Sequence, residues 1–311
     1  MTKIKAYHTL IKMKNKLARK IFLSLSDILE ILVRKLRGAA VLSDPQDSLS
    51  IVDFEKQNWQ NVCPCFVLST GRAGTLLLNR LFLGSSNAYS VHQPKPELIR
   101  VSKRAYGEVK SSPEIFIETF KSAREELVFE AAFHKKVFIE TNNRITFFSP
   151  IIREVFPIAI FIHLVRHPGD FVRSGIRRNW YSGEHDHDLG RIVPISGEAK
   201  KDWEKYSIIQ KIGWLWNETN QFIENFTSTL ETKNFLFVKA EDLFSQIQIT
   251  EQIFNFLQLD GFDSTRVKKN IQKPVNAQKK KQFPKFEDWP EKDKLELQQV
   301  TPLAKKYGYN L

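Results

Sequence analysis

The chain has 311 residues, of which 42% are hydrophobic, 12% aromatic and 26% charged. This composition excludes a disordered or collagen-like chain, and the length is enough to bury a substantial core. The two cysteines, Cys63 and Cys65, exclude a disulfide scaffold and a multi-cysteine zinc module. The net charge of +12 is uneven: residues 1–38 carry ten Lys/Arg against two acids, residues 266–285 carry eight against none, and the remainder sums to −4. A protein that coats nucleic acid carries its charge as a continuous stripe on the fold. Charge at two ends of the sequence points instead to a membrane surface or partner at one end and a small polyanionic ligand at the other.

The first 38 residues read as a basic helix, with Ile21, Phe22, Leu25, Ile28, Leu29, Leu32, Val33 and Leu36 recurring at spacings of three and four. Two readings stay open for it: a helix packed on its own domain, or an amphipathic helix lying on an anionic membrane surface. Asp27, Glu30, Arg34 and Lys35 interrupt the apolar run, so neither a transmembrane span nor a secretory signal is expected. The stretch from Ser43 to Ser50, rich in Ser, Asp and Pro, is the best boundary. It separates a basic helical extension and linker (1–50) from the main domain (51–311).

Beyond the boundary the pattern becomes α/β. Cys63 and Cys65 are expected as buried thiols. CFVLS (65–69) is apolar without polar alternation, as a strand buried on both faces requires, and a helical run from Leu76 to Phe82 follows. VFIET (137–141), IAIFIHLV (158–165) and FLFVKAEDL (235–243) read as further strands, with a helix from Asp170 and helical segments over 201–226 and 247–259. Strands alternating with helices predict a three-layer α/β fold, a mostly parallel sheet covered by helices on both faces.

The segment Ser69-Thr-Gly-Arg-Ala-Gly-Thr75 leaves a buried strand and enters a helix. Such a loop presents backbone N–H groups at a helix N-terminus, a ready anion site. Gly71 and Gly74 let the backbone approach a phosphate, Thr75 can donate a hydroxyl, and Arg72 brings a fixed charge in a forked donor geometry. This is not the Walker A pattern G-x-x-x-x-G-K-S/T, because the loop is shorter and its cation precedes the second glycine. A second segment, LVRHPGDFVRSG (164–175), places Arg166 at the end of a buried strand and Ser174 eight positions later on the next helix. Pro168 suits the turn and Asp170 the helix cap. An Arg at a strand end and a Ser on the following helix can converge on one phosphate.

Together, STGRAGT and LVRHPGDFVRSG resemble two segments of the sulfotransferase family, whose members transfer a sulfuryl group from 3′-phosphoadenosine 5′-phosphosulfate (PAPS). The stretches FIETNNRITFFSPIIREVFP (138–157), VKAEDL (238–243) and KPVNAQKKKQFPKFEDW (273–289) resemble it too, so the likeness covers about residues 62–311. It is closer to prokaryotic and Golgi-type members than to the cytosolic small-phenol enzymes. The resemblance implies a P-loop NTPase-like sheet and PAPS as co-substrate, with no metal required. It further implies that Arg72 stabilises the bridging oxygen, and that residues 70–76 (Thr70, Gly71, Arg72, Ala73, Gly74, Thr75, Leu76) hold the 5′-phosphate. Arg166 and Ser174 would hold the 3′-phosphate, and the basic loop with Lys279 and Lys280 would close over the nucleotide. The family's usual acidic residue or Asn after that Arg is His167 here.

An acceptor hydroxyl must lose a proton, which calls for a carboxylate or imidazole within reach. The position where many Golgi-type members place a Glu is Gln93, which cannot act as a base. His92, Glu97 and Glu140 are the candidates, and Glu140 also reads as a buried carboxylate orienting Arg72. His185-Asp-His-Asp188 reads as a solvated loop near the acceptor site; Trp203, Tyr206, Trp214 and Trp216 read as core. Arg173, Arg177 and Arg178 read as a solvated helix face or as a site for an anionic acceptor. The expected activity is sulfuryl transfer to a hydroxyl, or an amine, of a carbohydrate, lipid or small molecule, in the cytoplasm or at the periphery of a membrane. A small-molecule P-loop kinase and a non-catalytic polyanion-binding protein are the alternatives.

Overall fold

The computed structural model describes residues 62–184, 186–272 and 283–311, together with the isolated positions 28 and 32. The chain divides into units at Met1–Ser48 and Leu49–Leu311. Of the first, only Ile28 and Leu32 are described, both helical and exposed. The two readings of the N-terminal helix, and Lys279 and Lys280, therefore lie outside the described residues.

Five parallel strands form one sheet in the order β2-β3-β1-β4-β5, where β1 is Cys65–Leu68, β2 Ala88–Val91, β3 Val137–Glu140, β4 Ile160–Val165 and β5 Phe235–Lys239. The central strand shows why its sequence carries no polar alternation. Phe66 faces one side and meets the rings of Phe120, Phe138, Phe156 and Phe161. Cys65 and Val67 face the other, against Leu77, Leu78 and Leu81 of α1 (Thr75–Phe82). The first face is covered by α2 (Ile99–Glu108), α3 (Pro113–Phe133), α4 (Ser149–Val155), α5 (Pro168–Ile176) and, after α6 (Gly197–Asp202), α7 (Ile208–Thr227). The second carries α1, α8 (Ala240–Ser245), α9 (Ile247–Phe256) and α10 (Ser264–Ile271). Helices α11 (Glu291–Val300) and α12 (Leu303–Lys306) close the chain against α7. The result is the expected three-layer α/β fold.

Several local expectations are corrected. The stretch 235–243 is strand only to Lys239, because its ladder with β4 ends at Val165↔Lys239 and the unpaired chain turns into α8, with Glu241 and Asp242 in the helix's first turn. The helical stretch 201–226 is broken before Ile208, where Ser207 and Gln210 form a capping box. Cys65 is fully buried, but Cys63 is exposed; it precedes β1 and donates its thiol to the carbonyl of Ile158 at the sheet's rim. Trp214 and Trp216 are buried, and Trp203 packs edge-on against Trp214 at 5.3 Å, as expected of core residues.

Candidate active site

The order of strands turns at β1, which lies between β3 and β4. In parallel α/β sheets the carboxyl ends of the strands around such a point open a crevice. A cavity of about 710 Å³ sits there, and seven arginines are among its lining residues.

The loop after β1 forms its floor. Thr146 Oγ1 accepts from Ser69 N and donates to Ser69 O, and Ser69 Oγ accepts from Gly71 N, so the loop's first turn is pinned. Gly71, Arg72 and Gly74 all have positive φ (79°, 57° and 102°). Gly74 is the most constrained of the three: a Cβ there would lie 2.7 Å from the Phe244 ring. It sits at the N-cap of α1, which has no side-chain cap. The helix's first amides therefore face the cavity beside the Thr75 side chain.

Arg166 and Ser174 enter from β4 and α5. The Trp216 indole donates to Arg166 O at 2.8 Å and fixes the chain where it leaves the sheet. Arg166 Nη1 donates to Arg72 O at 3.0 Å, Nη2 pairs with Asp170 at 2.8 Å, and Nε is buried without a partner. Asp170 is thus not the helix cap; the His167 ring accepts from Gly169 N in that role, with Pro168 in the first turn as expected. Arg72 Nε donates to Ser174 Oγ at 3.3 Å and Arg178 Nη1 donates to the same oxygen at 2.7 Å. With two donors on its oxygen, the Ser174 hydroxyl keeps its own proton to give. Burial and the neighbouring Arg166 lower the pKa of Arg72, and burial with Arg72, Arg177 and Arg166 lowers that of Arg178 to about 10. Asp170 is the one carboxylate among the described lining residues. The cationic groups repel one another and favour an anion in the cavity.

At the other end lie His92, Gln93, Arg144, His187 and Arg191. Thr141 Oγ1 donates to Val91 O at 3.3 Å, so it accepts from His92 Nδ1–H at 2.9 Å. That tautomer leaves His92 Nε2 with a free lone pair. Burial, with Arg72 adding repulsion, holds the imidazole below its ordinary value despite the opposing pull of Thr141 and Glu97, so it is neutral near pH 7.

No family model and no curated relative matches the chain. Among solved structures it is similar to a sulfotransferase domain from the curacin biosynthetic pathway, at 18% identity over 80% of this chain and 98% of that one, with a TM-score of 0.49. It is also similar to sulfotransferases from Mycobacterium avium (11% identity, 84% and 80% covered, TM-score 0.48) and Alicyclobacillus acidocaldarius (14%, 80% and 97%, TM-score 0.47). These likenesses are weak.

Of the residues singled out from sequence, Thr70, Gly71, Arg72, Gly74, Thr75, Leu76, His92, Arg166 and Ser174 all line the cavity. Ala73 does not: it is fully buried against the core behind the loop. Glu97 also lies outside the described lining and acts on His92 and Arg144 only through its charge. Glu140 is neither a base nor a partner of Arg72. It is fully buried, pairing with Arg124 at 2.6 and 2.9 Å and accepting from Asn142 at 2.9 Å. Arg124 in turn donates to the carbonyls of Pro94 and Pro96, in the segment that follows His92 and Gln93. Arg173, Arg177 and Arg178 are not a solvated face, since all three reach the cavity. Arg144 and Arg191 are additions; only the strand-end position of Arg144, just past β3, could have signalled it.

Proposed function

We propose that this protein is a sulfotransferase that moves the sulfuryl group of PAPS to an acceptor hydroxyl. The observation that supports it most is the convergence of Arg72 and Arg178 on the Ser174 hydroxyl, with Arg166 bonded to the Arg72 carbonyl, beside an uncapped helix start. The amides of residues 71–75 and the Thr75 hydroxyl would bind the 5′-phosphate; Arg166 and Ser174 would bind the 3′-phosphate. The loop lacks the lysine of a Walker A motif, and the one carboxylate of the described lining, Asp170, is taken by Arg166. Both features argue for a metal-free nucleotide with two separate anionic ends over a magnesium–ATP complex.

In the reaction the acceptor oxygen attacks sulfur in line while the bond from sulfur to the bridging oxygen breaks, releasing 3′-phosphoadenosine 5′-phosphate (PAP). Arg72 would stabilise the charge that grows on the bridging oxygen. His92 Nε2 would take the hydroxyl proton, which its neutral state and free lone pair allow. Such an enzyme would work where PAPS arises, in the cytoplasm, and the basic character of residues 1–38 would suit an anionic membrane surface. The test is transfer of labelled sulfuryl from PAPS across a panel of hydroxyl compounds. Transfer by wild type that is lost in Arg72→Ala supports the proposal. Phosphoryl transfer from magnesium–ATP, or turnover indifferent to Arg72→Ala, overturns it.

A further inference from the structure

The nucleotide reading uses Arg72, Arg166 and Ser174 and leaves a second cationic group at the far end of the same cavity. Arg144 is fixed by the 3-10 turn Asn143–Phe148, whose start Asn142 caps by accepting from Arg144 N at 3.0 Å. Its Nη2 donates to His187 Nδ1 at 2.7 Å, and its Nε is buried with no partner. No carboxylate among the described residues forms an ion pair with it. Accepting from a guanidinium fixes His187 as its Nε2–H tautomer, so the ring presents a donor. Arg191 is buried over the Trp180 ring, 4.0 Å from its centroid, with Nε held by Asp188 at 2.6 Å. Asp188 therefore neutralises Arg191 in part and forms no ion pair with Arg144. Burial and the nearby Arg191 both act against the charge of Arg144 and outweigh the pull of Glu97, which reaches it through charge alone.

Partly desolvating a guanidinium beside a second one, without a carboxylate bonded to it, is unfavourable unless a ligand completes the set. Three donors from two segments, Arg144 on one and His187 and Arg191 on the other, suit the several oxygens of a tetrahedral oxyanion. We propose that this group is a subsite for a phosphate or sulfate ester, and that the acceptor hydroxyl belongs to a molecule already carrying such an ester. The assignment of the ligand as acceptor rests on the sulfotransferase reading; the anion subsite does not. His92 lines the cavity together with both cationic groups, so an acceptor anchored at Arg144 would offer its hydroxyl to the base from the side opposite the donor.

The experiment is calorimetric titration of the full chain, saturated with PAP, with inorganic phosphate, then with glucose 6-phosphate, glucose 6-sulfate and glucose. Phosphate and both esters are expected to bind while glucose does not, and Arg144→Gln is expected to weaken them at least about tenfold. His187→Gln, an exposed position whose change leaves the fold intact, is expected to give a smaller loss in the same direction. PAP affinity is expected to stay within about twofold in both variants. Binding of phosphate and the esters that is absent, or equal in wild type and Arg144→Gln, overturns the subsite. If PAP itself does not bind, the sulfotransferase reading fails, and phosphate is titrated into the free protein. A site lost in Arg144→Gln and kept in Arg166→Ala then upholds the subsite alone, and the reverse pattern overturns it.

Discussion

Arg124 and Arg72 are both taken out of water in this molecule, and they meet opposite fates. Arg124 is fully buried with a bidentate partner in Glu140, and its remaining donors reach backbone carbonyls. Arg72 is drawn from water beside Arg166 and Arg178, with a serine hydroxyl as its side-chain partner. The first arrangement is complete without a ligand. The second is electrostatically frustrated until an anion arrives. The contrast separates structure from function within one residue type: it is the missing carboxylate, rather than burial, that marks the site.

The sharpest way to break the contrast is on the structural side. Glu140→Ala strands the Arg124 charge in the core and is expected to cost roughly 3–5 kcal/mol of stability, read by denaturant unfolding. A loss under about 1 kcal/mol would mean that Arg124 finds water or another partner. On the functional side, Arg72→Ala is expected to lower kcat by roughly 10²–10³-fold, the size of losing one donor aimed at developing charge, while the unfolding midpoint holds. Relief of repulsion at Arg166 and Arg178 would even raise stability slightly, the reverse of the Arg124 case.

His92→Ala is expected to lower the rate about 10²-fold, at the low end for a general base. In wild type the working form is neutral imidazole. The pKa of His92 is shifted down, so activity falls only as pH drops through a value below the ordinary 6.5, and that acid limb should vanish in the variant, leaving a low rate that is flat with pH. A rate limb centred well above 6.5 would assign the base elsewhere. Gly74→Ala brings a methyl group against Phe244 at a positive φ and is expected to cost about 1–3 kcal/mol. Phe244→Ala in the same chain should relieve the steric share, leaving only the backbone strain.

Much of this site was legible in the chain because its anchors sit at strand ends. Apolar runs at 65–69 and 158–165 are hard to mistake, and the residues just beyond them, Arg72 and Arg166, inherit their positions from the sheet. Strand β2 was not legible: AYSV is a half-buried edge strand, short and without a clear apolar face. Glu140 was misread because the sequence places it at a strand end like the others, and its partner Arg124 is 16 positions earlier on a helix, out of reach of any local pattern. The helix arginines were misjudged for a related reason. Arg173 looks solvated until the fold brings the Phe283 carbonyl to it, and Arg178, although Ser174 is only four positions away, until that serine is seen to line the cavity.

The measurement closest to the central claim is calorimetric titration with PAP, beside magnesium–ATP, of wild type, Arg166→Ala and Glu140→Gln. The account predicts that PAP binds tightly to wild type and that ATP does not. It predicts a loss of at least about tenfold in Arg166→Ala, one charge-assisted contact, with little change in Glu140→Gln once that protein is shown to be folded. Binding of ATP in place of PAP, or equal affinity of wild type and Arg166→Ala for PAP, would contradict it.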